Sequence, residues 1–486
     1  MNKRSALSLA AFLAAGLAAA SCDSRAALTR TRIKAVENGL LRAYFLKGLK
    51  LEALELRERM AFYRVPAVSI AVVDGLRLEW ARAYGTKSAG PAADPATPET
   101  LFQAGALGQA PAAAAVLRLV ELGRLDLDLD IQRFLNLWRI RRTGPSARVP
   151  MTLGELLSHS AGFGAYEFPG VKRGQLLPSK YQVLDGEPPA VNPPVRLEFE
   201  PGTREVFSEP GLAVLEALLT EVWGGAFDET VLQPAGMTGS TYKTPLPDFL
   251  LSRAAAGHLR DGTMIEGGWL DYPLAIAKGL WTTPSELAVF GAAIMGAAGG
   301  KPSRLLGAAA ARAMLTPQLG VYGLGFVVEG RTRETMLISL EGRTDGFASI
   351  LVMVPDKEQA AAVMTNGDNG DLLIGEILRA LSAAYGWAYF KPEEKPLYRL
   401  DAAVINDYVG RYRLGPEEIL EVAAEDPCLV ITPPGRTPGR FYVDGETVFF
   451  SIDRPVRVRF QRNEAGRVDR LVLIEGRSVR EAVRVE

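Results

Sequence analysis

Between Leu101 and Leu122 the chain reads LFQAGALGQAPAAAAVLRLVEL, a tight glycine turn running straight into an apolar helix. Phe102 and Gly105 lead in, and Ala112, Val116, Leu117 and Val120 recur at helical spacing. A helix of this kind belongs to a globular interior. The 486 residues, 48% hydrophobic and 23% charged, are long enough for two or three domains. Lys plus Arg is 55 against 56 for Asp plus Glu, a net charge of −1 that gives no electrostatic reason to expect nucleic acid. No internal apolar run is long enough to span a bilayer.

The N-terminus has a different character. Lys3 and Arg4 precede an alanine-rich apolar run from Ala6 to Ala20, the pattern of a secretory signal. It ends at Ala19-Ala20-Ser21-Cys22, which resembles a bacterial lipobox with Cys22 as the lipidated residue, although Ala19 stands where such sites usually carry Leu. Ordinary cleavage after Ala18-Ala19-Ala20 is the alternative. The first reading implies export to the cell envelope and a lipid anchor in the membrane, periplasmic or at the cell surface. With Cys22 acylated, Cys428 has no partner, so the chain is no disulfide scaffold. His159 and His258 lie far apart without Cys or His companions; no metal and no cofactor is expected.

In chain order, Ala27 to about Arg64 is rich in Leu, Glu, Arg and Ala and reads as one long helix or two shorter ones. Val68–Val73 and Leu76–Tyr84 are strand-like runs joined by Asp74-Gly75, a hairpin signal. Gly164 to Pro194, rich in Gly and Pro, reads as a surface excursion able to overhang a pocket. A helix is expected from about Leu212 to Val222, and another after Thr283 or Ser285 as its cap. Met336–Leu340, Phe347–Val354 and Ala360–Thr365 have strand length and suit the far edge of a sheet, with Leu372–Tyr385 as its closing helix. Lys391–Lys395, KPEEK, reads as a linker. Beyond it come short alternating strands such as Val456–Phe460, with turns at Asp444-Gly445 and Asn463–Gly466, the pattern of a small β-barrel or sandwich.

The Leu101–Leu122 stretch resembles the nucleophile helix of the serine β-lactamase and penicillin-binding family, in its class C and D-alanyl-D-alanine carboxypeptidase-like branch. Met151–Phe163, MTLGELLSHSAGF, is similar to that family's "LLxHTSGL" segment, and Pro234-Ala235-Gly236-Met237 to its "PLGM" turn. Lys278–Phe290, KGLWTTPSELAVF, is similar to its "GL-x-ST-x-x-DLA-x-F" run. Leu400-Asp401 and Tyr408–Tyr412 resemble the opening of the lipocalin-like module appended to many exported relatives. The resemblance implies an α+β fold: an antiparallel sheet flanked by helices, then a small all-β barrel-like domain. The expected domains are a signal peptide over 1–21, a β-lactamase-like domain over 22–390, a linker over 391–395 and a lipocalin-like domain over 396–486.

Serine acyl transfer needs a nucleophile, a base to take its proton and donors for the developing oxyanion. The family supplies them as Ser-x-x-Lys, Tyr-x-Asn and Lys/His-x-Gly. In this chain the serine and lysine positions are Ala106 and Gln109. Pro201-Gly202-Thr203 anchors the second motif at Phe207-Ser208-Glu209, and Gly346-Phe347 anchors the third at Leu340-Glu341-Gly342. The replacements keep volume and remove function, which preserves packing. No catalytic residue is therefore assigned. Two relocated nucleophiles are considered: Ser240, in Ser240-Thr241-Tyr242-Lys243, and Ser208 beside Glu209. His159 is read as a hydrogen-bonded structural group, the catalytic reading being the alternative.

What the resemblance leaves is backbone: the N–H groups of Ala106 and Arg343 at the oxyanion position, a pair that favours an anion. Ala106, Ser208, Glu209, Gly342 and Arg343 are thus the expected lining of a site for a small anionic or peptide ligand, with Arg343 strengthening the preference and Glu209 and Glu341 opposing it or pairing with Arg343. A filled-in pocket is the simpler alternative. The first function expected is a catalytically silent envelope binding or scaffolding protein. The second is a divergent serine hydrolase acting on esters, amides or D-amino-acid peptides.

Overall fold

A computed structural model describes residues 24–90, 93–140, 149–330, 336–415, 418–433, 438–454, 456–475 and 478–485. The signal segment and Cys22 lie outside them. The chain divides into two compact units, one built from Arg57–Ile374 with the residues up to Thr29, the other from Arg30–Leu56 with Gly375–Glu486. The division falls within the helix Gly370–Tyr385.

The first unit is built on six strands, numbered here β1 (Ala67–Asp74), β2 (Arg77–Gly85), β3 (Val327–Glu329), β4 (Leu337–Thr344), β5 (Phe347–Val354) and β6 (Gln359–Thr365). They form one antiparallel sheet in the order β2-β1-β6-β5-β4-β3. The apolar runs at β5 and β6 are continuous because both strands are buried on both faces, whereas β2 and β4 alternate toward solvent. The three runs expected at the far edge therefore reach the middle of the sheet: β6 pairs with β1, and the edge itself is the short β3, too brief to read from sequence. The β1–β2 hairpin turns on Gly75 and Leu76, both with positive φ as a type I′ turn demands.

Helix α1 (Gln109–Glu121) continues from the turn Gly105–Gly108; helix α2 (Glu209–Trp223) and helix α3 (Pro284–Ala298) follow. Thr283 caps α3 by accepting the Glu286 N–H. Against the sheet, α3 buries Leu287, Phe290 and Ile294, and Gly291 lets the helix approach Met353 closely: a Cβ there would lie 3.0 Å from its sulfur.

The second unit contains a closed eight-stranded antiparallel barrel from Gly410–Arg413 to Ser478–Arg484. Alternation along its strands sends Leu420, Val422, Phe449, Val458 and Leu471 inward. Tyr408, Tyr412, Phe449 and Phe460 fill the interior, with the Phe460 ring 4.6 Å from Tyr408 and 5.7 Å from Phe449. Outside the barrel, Cys428, Tyr442 and Phe450 form an apolar patch covered by Leu46 and Tyr44.

Two expectations change here. Of the two readings of Ala27–Arg64 it is the two shorter helices that form, at 24–37 and Leu56–Tyr63, and a strand that was not expected, Tyr44–Leu46, lies between them. That strand pairs in parallel with Glu393–Lys395, so the expected linker is half of a two-stranded sheet. Charged side chains at 391–395 read as a linker because the pairing is made by the backbone, and the contacts of Lys395 with the Tyr44 and Phe450 rings and with Asp444 are to residues distant in sequence. The unit boundary accordingly falls before 391 and takes Arg30–Leu56 with the barrel.

Replacing Phe460, 2% exposed amid three aromatic neighbours, by Ala is expected to cost about 3–5 kcal/mol. In urea unfolding of the full chain the barrel transition should move to lower urea, while the transition of the first unit stays in place.

Candidate functional site

The site is assembled by close backbone contact between the Gly105 turn and the outer edge of β4. Pairing of β3 with β4 stops at Ser339, and beyond it the turn lies against the strand. Gly105, at φ 55°, touches Arg343: an added Cβ would lie 2.4 Å from the Arg343 nitrogen. Gly342 faces the other way, where a Cβ would lie 1.8 Å from the Ala104 carbonyl oxygen. Ser349 ties the contact by donating to the carbonyl oxygens of Ala104 and Gly342 at 3.0 and 3.2 Å. Behind the turn, Phe102–Gln103 pairs with Trp281–Thr282, and Tyr242 donates to the Gly108 carbonyl at 2.5 Å.

Ala106 is buried in this turn, and Leu340, on the β4 face shared with Gly342, is 3% exposed. Gln109, one turn after Ala106, is buried and bonded to His159, its Oε1 2.8 Å from the imidazole Nε2. The Ser208 N–H points at Nδ1 (3.3 Å), which makes Nδ1 the acceptor and Nε2 the donor to Gln109. That assignment leaves the Gln109 Nε2 amide buried without a partner. Phe207 and Tyr322 pack on the imidazole at 4.8 and 4.9 Å. His159 therefore bridges two of the degenerate segments, those of Gln109 and of Phe207-Ser208, as a hydrogen-bonded group.

Ser208 is not placed as a nucleophile. It caps α2, accepting the Gly211 N–H at 3.1 Å and donating its own proton to the Gly164 carbonyl at 2.8 Å. Ser240 lies elsewhere: its hydroxyl donates to Thr282 Oγ1 at 2.6 Å and contacts the Glu286 carboxylate. The lysine of its Ser-x-x-Lys run, Lys243, is turned toward Asp228 and Glu229, 3.9 Å from each.

The charges also sit differently from expectation. Arg343 points away along the exposed edge, bonded to Asp371 Oδ2 at 3.0 Å and the Asp368 carbonyl at 2.6 Å. Only its backbone remains at the site. Glu209 pairs not with Arg343 but with Lys278, at 2.9 Å, and its second oxygen accepts the Phe168 N–H at 2.8 Å. Lys278 also reaches Glu167 at 2.8 Å. Burial pushes the Glu209 carboxyl up, with Lys278 and the Phe168 N–H pulling it partly back. Burial opposes charge on Lys278 too, but Glu209 and Glu167 outweigh it and hold the ammonium above the ordinary lysine range.

Sequence reading missed Lys278 and Glu167. The available signal was a single charge inside the otherwise apolar Leu274–Trp281 run, which a family comparison treats as part of a helix approach. The beginning of the Gly164–Pro194 excursion is held at the start of α2: Ser208 donates to the Gly164 carbonyl and Glu209 accepts the Phe168 N–H.

Burial alone lowers the His159 pKa to about 4. An unfolded chain protonates its histidines near 6.5, so between those values it binds a proton that the folded protein refuses. Stability should therefore fall as pH drops from about 6.5 toward 4, by up to about 3 kcal/mol from this residue. Imidazole NMR of the two-histidine chain should find the His159 ring neutral at pH 5; a His159 midpoint near 6.5 would contradict this.

The β-lactamase family model matches residues 54–384. No curated protein matches the chain at a significant level. Among solved structures it is similar to the octameric penicillin-binding protein homologue from Pyrococcus abyssi, with a TM-score of 0.55 and 20% identity over 88% of this chain and 98% of that one. It is similar to SurE crystallised with D-Leu, with a TM-score of 0.53 and 22% identity over 88% and 97%. A class C β-lactamase aligns with a TM-score of 0.50 and 21% identity over 66% and 93%. At these identities the structural likeness bears on the fold, and the family match covers more than half of the chain. The chain belongs to the β-lactamase family and carries its fold, followed by an eight-stranded barrel.

Proposed function

We propose that this protein is a catalytically silent β-lactamase-family member, a pseudoenzyme that binds a small anionic or peptide ligand, or scaffolds a partner, at the cell envelope. The observation that carries the reading is chemical. Ala106, Gln109, Phe207 and Leu340 stand where a nucleophile and its bases are required, and none can give or take a proton at neutral pH. The surrounding packing supports it. The Gln109 carboxamide is engaged by His159, the Ser208 hydroxyl proton is engaged by a carbonyl, and Leu340 is buried among apolar neighbours. In this reading Cys22 carries a lipid anchor and the signal segment is removed.

One contact favours a second reading, a divergent hydrolase. Ser240 adjoins the Glu286 carboxylate, a possible base. Against it, the nearby N–H groups are already committed: Gly239 donates to Glu286 and Thr241 to the Trp281 carbonyl, leaving no free pair for an oxyanion. A fluorophosphonate or fluorescent penicillin probe separates the readings. Labelling that disappears in Ser240→Ala would favour the hydrolase.

Ala106→Ser alone should remain near background with β-lactam or ester substrates. The restored hydroxyl has no base, and general-base assistance normally contributes roughly 10²–10⁴-fold. Ala106→Ser combined with Gln109→Lys, Phe207→Tyr and Leu340→His should turn over measurably faster, since these groups act as a unit. Substantial wild-type turnover, retained in Ser208→Ala and Ser240→Ala, would overturn the silent reading. For the address, Cys22→Ser should lose acyl labelling and leave the membrane fraction; unchanged membrane association would rule out the anchor.

A further inference from the structure

Lys278 is held between two carboxylates of very different standing. Glu209, at 2.9 Å, is 4% exposed and is fixed at its other oxygen by the Phe168 N–H. Glu167, at 2.8 Å, is 80% exposed, while Lys278 itself is only 8% exposed. Glu209 suffices to neutralise the ammonium, so Glu167 is a surplus charge at the solvent side of the pair. An exposed carboxylate is well hydrated when released, and its ion pair contributes little to stability; the buried pair beneath it is costly to break.

We infer that Lys278 is a carboxylate-binding group at the degenerate site, covered by Glu167 until a ligand carboxylate takes Glu167's place. The inference rests on the reading of this site as one that binds rather than catalyses. It transfers the anion-recognising role from Arg343, whose guanidinium is engaged at Asp371 and Asp368, to a residue on another element. Lys278 stands on the turn Ala275–Gly279, which packs directly on the Gly105–Gly108 turn: a Cβ at Gly108 would lie 2.8 Å from the Ile276 carbonyl oxygen. The turn that carries Lys278 thus packs on the turn that carries Ala106.

The exchange needs no refolding. Glu167 lies between Tyr166 and Phe168, and the backbone there is held by the Phe168 N–H bond to Glu209, which involves no atom of the Glu167 side chain. Rotation of that side chain alone vacates its place on Lys278. Below the ammonium, the Tyr272 ring, with its centroid 5.5 Å from Nζ, provides an apolar wall. The fitting ligand is therefore a small molecule or peptide end that presents a carboxylate with a short apolar body. A neutral amide of the same shape lacks the charge that replaces Glu167.

The test uses the full chain and N-acetylglycine, with N-acetylglycine amide as the control, titrated by calorimetry. Glu167→Gln and Glu167→Ala should each bind N-acetylglycine at least tenfold more tightly than wild type, and the amide should bind none of them. The paired change Lys278→Met with Glu209→Leu, which leaves no unpaired buried charge, should lose the binding. Equal affinity in wild type and both Glu167 variants, binding retained in the paired variant, or no binding by any variant would overturn the inference. Probe labelling reads catalysis and this titration reads affinity for a compound with no labile acyl group. The two conclusions can thus fail separately.

Discussion

The close approach of Gly105 to Arg343, with Gly342 against the Ala104 carbonyl, is the constraint on which the site depends. Two backbones can lie this near only where side chains are missing, so each glycine is required by its neighbour rather than by its own flexibility alone. The contact brings the turn before α1 to the edge of β4 that lies beyond its pairing with β3.

Around that backbone the positions where the resemblance expects catalytic groups are filled in two ways. At Ala106, Phe207 and Leu340 the residue is apolar: Leu340 lies in the core, Phe207 packs against it and Ala106 is buried in its turn. At Gln109 and Glu209 it is polar, and each has acquired a partner: His159 for the amide oxygen, Lys278 and the Phe168 N–H for the carboxylate. A buried carboxylate and ammonium are rarely the most stable filling for a cavity, since desolvation opposes both charges. Here each charge has fixed partners, the Phe168 N–H and Lys278 for Glu209, and Glu209 and Glu167 for Lys278.

The second unit follows a different logic. Its barrel is filled by its own aromatic residues, while the patch outside is completed by a strand from near the N-terminus. Leu46 and Tyr44 give this strand an apolar side, and its parallel pairing with Glu393–Lys395 ties two segments far apart in sequence. The parallel pair satisfies backbone groups that the polar side chains of KPEEK do not advertise.

Sequence by itself determined the α+β class, the glycine turn and helix around Ala106, the β1–β2 hairpin, the β5 and β6 strands and the all-β tail. Each rests on local periodicity or turn chemistry, which a single segment contains in full. It also put Ala106, Gln109 and Phe207 where the resemblance expects serine, lysine and tyrosine, because residue identity needs no coordinates. Tertiary structure decided the rest. It set β6 at the centre of the sheet, paired Tyr44–Leu46 with residues 393–395, spent Ser208 as a helix cap, and turned Arg343 outward and Lys278 inward. Those outcomes depend on which distant groups meet: a charged side chain's direction is set by the partner it finds, and no local pattern records that partner.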